Sequence, residues 1–303
     1  MVLAPMAGIS DSAFRELCRS LGADAVYTEM ISADALHYDS KKTLGMLKFS
    51  KAEKPVIAQL FGKRQEMFVK ATQIITKSGF DGIDINFGCP ARKVVAHGGG
   101  ITLMKDLKKC RQLIETILEN TNLPVSVKIR TGIGKVTAMD FIEEITDLPV
   151  SALMIHGRSY ESGFSGPIDF EMIKKVKQNF SGIVLGNGGI NTPEDAAEML
   201  EKTGADGIGL ARGLYGRPWL FKQIKDYLKK GKYQTFKTGD IKKIAIQHAK
   251  LAYGSKGDLG IVEMRKHLLW YFRGFDGAVK IRGKLVKVKS VGEIKTILKQ
   301  INS

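Results

Sequence analysis

The fold can be predicted from three segments of the chain: Gly82-Ile83-Asp84-Ile85-Asn86, Leu107–Glu119 and Val125-Ser126-Val127-Lys128-Ile129. Two short runs rich in β-branched residues enclose one longer amphipathic segment. Short apolar runs are typical of buried strands, and a one-sided apolar pattern is typical of a helix that covers them. The pattern therefore predicts a β-strand, a helix and a second, parallel β-strand.

The same unit recurs along most of the chain. Strand candidates are Val2–Pro5, Ala25–Glu29, Val56–Leu60, Gly82–Asn86, Val125–Ile129, Ala152–His156, Ile183–Gly186 and Gly207–Leu210, with helical patterns such as Ser12–Leu21, Gln65–Ser78 and Pro193–Lys202 between them. Eight strands, each followed by a helix, predict a (β/α)8 TIM barrel over residues 1–235. A doubly wound sheet is the alternative, but no GxGxxG turn follows the first strand.

The alternation stops after Lys229-Lys230-Gly231-Lys232. Helical patterns follow at Ile241–Tyr253, Val262–Phe272 and Val291–Ile301, and we expect a lysine-rich loop over Gly274–Ser290. Residues 236–303 are therefore predicted to form a small helical domain.

The net charge of +16 is concentrated in this last part of the chain. From Phe236 onward there are 15 Lys and Arg against 5 Asp and Glu, whereas the first 235 residues carry 32 against 26. A basic patch favours a polyanionic partner such as nucleic acid. The alternative is a solvated lysine-rich surface of the kind found in thermophiles.

The composition excludes several classes of protein. No run of about 18 apolar residues predicts a membrane span, and the first residues lack the basic region of a signal peptide. The three cysteines show no CxxC spacing, so neither a disulfide framework nor a structural zinc site is expected. We expect a soluble cytoplasmic protein with no bound metal and no membrane contact.

Polar residues gather at the predicted carboxyl ends of the strands, where barrels place their chemistry. Asn187-Gly188-Gly189 and Ala211-Arg212 follow strands seven and eight, the usual phosphate position. Glycines let the backbone approach an anion, and the arginine adds a charge-assisted contact. The alternative is that the glycines only turn the chain. The pattern favours a phosphate site.

Two further strand-end residues suit a flavin. Lys128 is expected to point into the barrel mouth, where a buried lysine needs an anionic partner such as the N1–C2=O edge of a reduced flavin. Gln59 offers both a donor and an acceptor for the pyrimidine edge of the ring. Together with the phosphate site, these residues predict FMN.

Cys89 follows strand four, between Gly88 and Pro90, in a predicted loop. Its thiol could act as a nucleophile or as a general acid, and the pattern alone does not distinguish the two. The alternative is a small buried thiol at a tight turn. Cys18 and Cys110 lie in amphipathic helical patterns and are interpreted as packing residues.

The chain resembles the tRNA-dihydrouridine synthases over essentially its whole length. The most specific match is Asn86-Phe87-Gly88-Cys89-Pro90-Ala91-Arg92-Lys93-Val94, followed by Gly98-Gly99-Gly100 and Leu103-Met104. Other matches are Ala4-Pro5-Met6-Ala7-Gly8, Gln59-Leu60-Phe61-Gly62, Lys128-Ile129-Arg130, His156-Gly157-Arg158, Gly216-Arg217-Pro218-Trp219, Met264-Arg265-Lys266-His267-Leu268 and Gly277-Ala278. Ala211 and Gly100 depart from the family's usual glycine and alanine, but neither change removes a reactive group.

The resemblance implies an enzyme that reduces uridines in tRNA with FMN, using NADPH or NADH as reductant. It implies that Cys89 protonates uracil C5, that Pro5, Met6 and Ala7 line the flavin ring, and that Gln59 and Lys128 meet its pyrimidine edge. The ring edge, ribityl chain and phosphate would be held by His156, Asn187, Gly188, Gly189, Ala211 and Arg212. Asn86 would contact the uracil. The basic C-terminal region would bind tRNA through residues that include Arg265, Lys266, Lys284 and Lys287.

Two other functions compete with this one. A small-molecule FMN oxidoreductase of the dihydroorotate dehydrogenase type shares the barrel and the flavin site, but it has no need of a strongly basic C-terminal region. An inactive flavin-binding or RNA-binding module would have no need of Cys89. None of these interpretations requires a protein partner.

Overall fold

The computed structural model describes residues 1–274 and 277–301, and its centre is a closed barrel of eight parallel strands. The strands are β1 (Val2–Leu3), β2 (Ala25–Ser32), β3 (Val56–Phe61), β4 (Gly82–Asn86), β5 (Val125–Arg130), β6 (Ala152–His156), β7 (Ile183–Asn187) and β8 (Gly207–Leu210). Each strand pairs with the next, and β8 closes on β1. The predicted TIM barrel is confirmed.

Helices surround the barrel as the repeated unit predicts. They are Ser12–Ser20, Ala33–His37, Lys41–Gly45, Gln65–Lys77, Arg92–Ala96, Leu107–Glu119, Ala138–Ile145, Phe170–Asn179, Pro193–Thr203 and Leu220–Lys230, with 3-10 turns at Lys51–Glu53, Gly100–Lys105 and Arg212–Leu214. A two-stranded hairpin of Gly132–Ile133 and Val136–Thr137 follows β5. Across residues 1–274 and 277–301, no helix combines the length and the apolar character that crossing a membrane requires.

The strand register brings the predicted site residues to one end of the barrel. Asn86 pairs with Lys128, Arg130 pairs with His156, and His156 pairs with Asn187. Because all of these strands are parallel, their carboxyl ends open on the same side. Residues far apart in the sequence thus become neighbours around one opening.

Four helices follow the barrel: Thr238–Lys256, Asp258–Tyr271, Ala278–Leu285 and Val291–Lys299. The first two pack on the barrel helix Ser12–Ser20, where the ring of Phe14 lies 5.6 Å from that of His248 and 4.8 Å from that of His267. Phe236, at the predicted boundary, stacks on Trp219 with ring centroids 5.1 Å apart. These helices and the barrel therefore share one apolar core, and an independent domain over residues 236–303 stays a prediction.

The predicted loop over Gly274–Ser290 is wrong at Ala278–Leu285, which forms a helix. Gly277 adopts a left-handed conformation (φ 79°) just before it, and Ala278, Ile281 and Leu285 are buried at helical spacing. The abundance of lysine and glycine hid this apolar stripe. Phe275 and Asp276 lie outside the described residues.

Candidate active site

A cavity in two connected parts lies over the carboxyl ends of the strands. One part, of about 300 Å³, contains the residues that follow β7 and β8, and the other, of about 270 Å³, contains Cys89. Both parts are lined by His156, Phe164, Asn187, Ala211 and Arg212. The two parts therefore belong to one extended site.

The first part of the cavity has a glycine floor. Gly188 and Gly189 both have positive φ, and a Cβ atom on Gly188 would lie 3.1 Å from Nε2 of His156. A Cβ atom on Gly189 would lie 2.8 Å from a side-chain carbon of Ile168. Only glycine fits at these positions, so the backbone itself faces the cavity, as a bound anion requires.

Positive charge converges on this cavity from four side chains. Lys128, Arg130, Arg158 and Arg212 all line it. Burial, followed by the charge of Arg130, lowers the pKa of Lys128 to about 8. Burial, together with the charges of Arg158 and Arg212, lowers the pKa of Arg130 to about 10. Cations that depress one another's pKa values favour an anionic ligand, which would relieve the repulsion.

Two buried nitrogen atoms in the cavity wall lack hydrogen-bond partners among the described residues. They are Nδ1 of His156 and one terminal nitrogen of Arg158. Burial, together with the charges of Lys128 and the neighbouring arginines, lowers the pKa of His156 to about 2. A neutral imidazole and a free guanidinium nitrogen leave polar capacity for a ligand, since buried polar groups are normally paired.

Cys89 faces the second part of the cavity, together with Pro5, Met6 and Ala7. Its backbone N–H donates to Oδ1 of Asn86 over 2.9 Å. Burial raises the pKa of the thiol, although Arg130 and Lys128 partly offset this effect. A thiol in this environment keeps its proton at neutral pH and is suited to donate it.

The structure brings most of the predicted cofactor residues to the cavity, but not Gln59. The residues that line it are Pro5, Met6, Ala7, Lys128, His156, Asn187, Gly188, Gly189, Ala211 and Arg212. Gln59 is fully buried behind this surface, where its amide donates to Asp84 and accepts from Asn86. The predicted contact of Gln59 with the flavin ring therefore has no counterpart in the described cavity surface.

Sequence reasoning places Asn86 against the substrate, and the structure gives its amide other partners. Asn86 lines the cavity, yet its Oδ1 accepts from the backbone of Gly88 and Cys89 and its Nδ2 donates to Gln59.

Cys18 and Cys110, which the sequence analysis interprets as packing residues, are both buried in the core.

Sequence reasoning does not assign a role to Arg130, Arg158 or Phe164, all of which line the cavity. The two arginines stand at or just beyond strand ends, which was an available signal. Phe164 comes from the long connection after β6, and its ring lies 4.7 Å from the guanidinium carbon of Arg212 and 5.1 Å from that of Arg130. No periodicity marks such a loop residue, so only the folded structure identifies it.

The four predicted tRNA-binding residues differ in their surroundings. Arg265 donates to the backbone oxygen of Val288 at 2.7 and 2.9 Å, which makes it a support for the chain after Ala278–Leu285. Lys266 extends toward Gly8 at the barrel mouth. Lys284 donates to Gln300, and Lys287 is exposed. Among the four, only Lys287 is exposed, and the other three are half-buried.

The cavity fits FMN in its chemistry. A phosphate group would meet the glycine floor and the arginines, and the unpartnered nitrogen atoms of His156 and Arg158 would find acceptors. Lys128 would face a carbonyl edge of the ring. The second part of the cavity is more apolar and has room beside Cys89 for a planar group.

Comparison with known proteins gives a consistent result. A family model described as Dihydrouridine synthase (Dus) matches residues 2–302. A protein named "Probable tRNA-dihydrouridine synthase 1" from Synechocystis is 34% identical over 98% of this chain and 84% of its own length. A protein named "tRNA-dihydrouridine synthase B" from Pseudomonas syringae is 34% identical over 93% of this chain and 85% of its own length.

Solved structures share the fold at low sequence identity. A 6-hydroxypseudooxynicotine amine oxidase from Pseudomonas geniculata superposes with a TM-score of 0.61 at 13% identity, covering 98% of this chain and 63% of that one. An old yellow enzyme homologue from Zymomonas mobilis gives a TM-score of 0.52 at 12% identity, covering 78% of this chain and 90% of that one. At these identities the likeness extends to the barrel and no further.

Proposed function

The chain belongs to the dihydrouridine synthase family, and we propose that it reduces the C5–C6 double bond of specific uridines in tRNA. FMN would be the cofactor and NADPH the reductant. Two relatives named as tRNA-dihydrouridine synthases support the reaction. The observation that carries the cofactor assignment is the set of four cations around a glycine floor, beside a protonated thiol. A small-molecule FMN oxidoreductase, the alternative from the sequence, belongs to a different family.

The cofactor would lie with its phosphate on Gly188 and Gly189, beside Arg158 and Arg212. His156 stays neutral, so it offers one nitrogen as a donor and the other as an acceptor to the neighbouring ligand atoms. When bound, FMN would supply the hydride for uracil C6 and would be reduced again by the reductant. The cavity walls would hold its ring in place and limit its contact with water.

Lys128 has a position from which it can polarise a ligand carbonyl. Its Nζ donates to Oδ1 of Asn187 over 3.1 Å, and Nδ2 of Asn187 donates to the backbone oxygen of Gly209 over 2.7 Å. This chain of hydrogen bonds directs the ammonium group, which keeps two further N–H donors. Lys128 therefore orients an electron-rich edge and stabilises negative charge on it.

Cys89 delivers the proton. As a hydride reaches C6, the electron pair of the C5–C6 bond moves to C5 and takes the proton from Sγ of Cys89. The product is a saturated base, and the thiolate left on Cys89 is stabilised by the charges of Arg130 and Lys128 until solvent returns the proton. A target base must leave its stack to reach this depth in the barrel.

The tRNA would lie across the barrel mouth and the basic helices beyond it. Lys266, beside the loop after β1, and the exposed lysines near Ala278–Leu285 would bind phosphates. A tRNA substrate also places the enzyme in the cytoplasm, and the reaction requires no protein partner and no metal.

The test is direct. Purified protein loaded with FMN is incubated with an unmodified tRNA transcript and NADPH, and dihydrouridine is measured by mass spectrometry of nucleosides. We expect dihydrouridine at defined positions, with NADH tested in parallel. Protein that cannot be loaded with FMN, or loaded protein that reduces free pyrimidines but leaves tRNA unchanged, would contradict the proposal.

A further inference from the structure

A row of buried polar side chains lies beneath the cavity and ends at the reactive thiol's turn. Asp84 accepts from Nε2 of Gln59 over 2.7 Å and from the hydroxyl of Ser126 over 2.6 Å. Oε1 of Gln59 accepts from Nδ2 of Asn86 over 2.9 Å, and Oδ1 of Asn86 accepts from the backbone N–H of Cys89. We call Asp84, Gln59 and Asn86 the amide relay. Asp84 and Gln59 are completely buried, and Asn86 is 5% exposed.

The relay has only one consistent direction. An ionised carboxylate can only accept, so Asp84 requires the NH2 group of Gln59. The oxygen of Gln59 then faces Asn86, which must donate a hydrogen bond to it from its own NH2 group. The oxygen of Asn86 is in consequence left for the N–H of Cys89. Reversing either amide would oppose two donors or two acceptors in a dry interior, where an unmet polar group is costly.

Asp84 is ionised under ordinary conditions. Burial raises its pKa to about 6, while hydrogen bonds from Ser126 and Gln59 and the charge of Lys128 limit that rise. The carboxylate therefore keeps its acceptor-only character at neutral pH.

We propose that Asp84 is a positioning residue for Cys89: it sets the direction of the Gln59 and Asn86 side-chain amides, and through them it holds the turn that presents the thiol. Asp84 acts through two other residues, is completely buried and does not line either part of the cavity. The inference rests on the proposed function only in taking Cys89 as the reactive group. It also gives Gln59 and Asn86 a role that does not depend on ligand contact.

The experiment reverses the relay. Asn86→Asp places a second acceptor against Oε1 of Gln59, so the relay cannot close. Asp84→Asn combined with Asn86→Asp moves the carboxylate to the other end: residue 84 donates to Gln59, Gln59 donates to residue 86, and residue 86 still accepts from Cys89. Hydrogen exchange of the backbone N–H groups of Gly88 and Cys89 in the FMN-loaded protein is the measurement, because both donate to Asn86.

We expect exchange in this segment to be about tenfold faster in Asn86→Asp, the size of one lost hydrogen bond. The double variant should return to within about twofold of the unaltered protein, and Asp84→Asn alone should change little, because the original direction stays open to it. Unaltered exchange in Asn86→Asp, or no recovery in the double variant, overturns the proposal. This readout needs neither tRNA nor turnover, so failure of the proposed reaction would be seen separately.

A control separates the relay from simple repulsion between two carboxylates. Adding Gln59→Met to the double variant removes the middle of the relay but leaves the charges unchanged. The relay predicts that the recovery is lost, whereas repulsion alone predicts that it persists, which would overturn the proposal. If Asn86→Asp does not fold, Asp84→Ala and Ser126→Ala decide the question: only the first should speed exchange at Cys89, since Ser126 lies outside the relay.

Discussion

The backbone N–H of Cys89 lies 2.9 Å from Oδ1 of Asn86, the last residue of a completely buried strand. The turn that carries the thiol is thereby fastened to a rigid part of the barrel. A proton donor held in this way needs little reorganisation before it reacts. This contact therefore fixes the position of the thiol relative to the strands of the barrel.

Replacing Cys89 by alanine should separate proton delivery from hydride transfer to the cofactor. FMN content and NADPH oxidation should stay normal, because neither needs the thiol. Dihydrouridine formation should fall by about 10²–10⁴-fold, the usual contribution of a positioned general acid. Single-turnover assays on tRNA with pre-reduced enzyme measure this step.

The other two cysteines provide the control for this variant. Cys18 and Cys110 are buried in the core, so Cys18→Ala and Cys110→Ala should lower stability modestly and leave the rate per folded molecule unchanged. A Cys89→Ala enzyme that reduced uridine at the normal rate would assign the acid to another group.

The substitution Arg212→Ala should weaken FMN binding without preventing it. The side chain borders both parts of the cavity and would make a charge-assisted contact with the phosphate. Because Arg212 is exposed at the rim, we expect the lower end of the range for such contacts, about a tenfold increase in Kd. Fluorescence titration of the apoprotein with FMN measures the change. Arg273→Ala, an exposed arginine outside the cavity, serves as the control, and equal effects from the two variants would argue against a phosphate contact.

FMN affinity should decrease as the pH rises through about 8, where the buried Lys128 loses its proton. The sign follows from linkage: a ligand whose carbonyl edge prefers the ammonium form binds best below the pKa of the free protein and progressively less well above it. Titrations from about pH 7.5 to about pH 9.5 test this dependence, because the phosphate, with a second pKa of about 6, is already almost entirely dianionic over that range. Lys128→Met should bind FMN more weakly and with a flat profile over the same range. A steep profile that survives in Lys128→Met would point to a different titrating group.

Binding of tRNA should be governed by counterion release from phosphates. The double variant Lys284→Ala, Lys287→Ala should weaken binding to many tRNAs alike and flatten the plot of log Kd against log salt, by up to about 0.7–0.9 for each phosphate that is no longer neutralised. Backbone contacts carry little base information, so the choice of uridine should not change. FMN content should stay constant, since the flavin site is in the barrel.

The matched control for that experiment is Lys174→Ala, Lys175→Ala, which removes two exposed lysines from the barrel helix Phe170–Asn179. It lowers the net charge equally but at a distance from the proposed surface. If both double variants changed the salt dependence to the same degree, the effect would be one of total charge and the assignment of the C-terminal helices would fail.

Much of the site could be predicted because a parallel barrel collects its strand ends. Lys128, His156, Asn187 and Cys89 each follow or end a recognisable apolar run. Once eight such runs are identified, the closed topology places those residues around one opening, whatever the details of packing. The predicted strand bounds at Gly82–Asn86, Ala152–His156 and Gly207–Leu210 agree with the structure to the residue.

The sequence is least informative where the environment of a side chain, and not its position along the chain, decides what it contacts. Arg265 is predicted from the sequence to bind tRNA, and the structure adds a contact with a backbone oxygen that the sequence does not indicate. The segment Ala278–Leu285 is expected to be a loop, but its three apolar residues find a core to cover. Neither partner is near in the sequence, so neither could be inferred from it.

The barrel, the order of its strands and the ring of polar residues at one end follow from the sequence, because period and spacing are local properties that a regular fold converts directly into position. The direction of the buried amides, the position of Phe164 over two arginines and the burial of Gln59 behind the cavity arise only in the folded chain. Hydrogen-bond direction and burial depend on atoms brought together from distant strands, and they exist only once the barrel has closed.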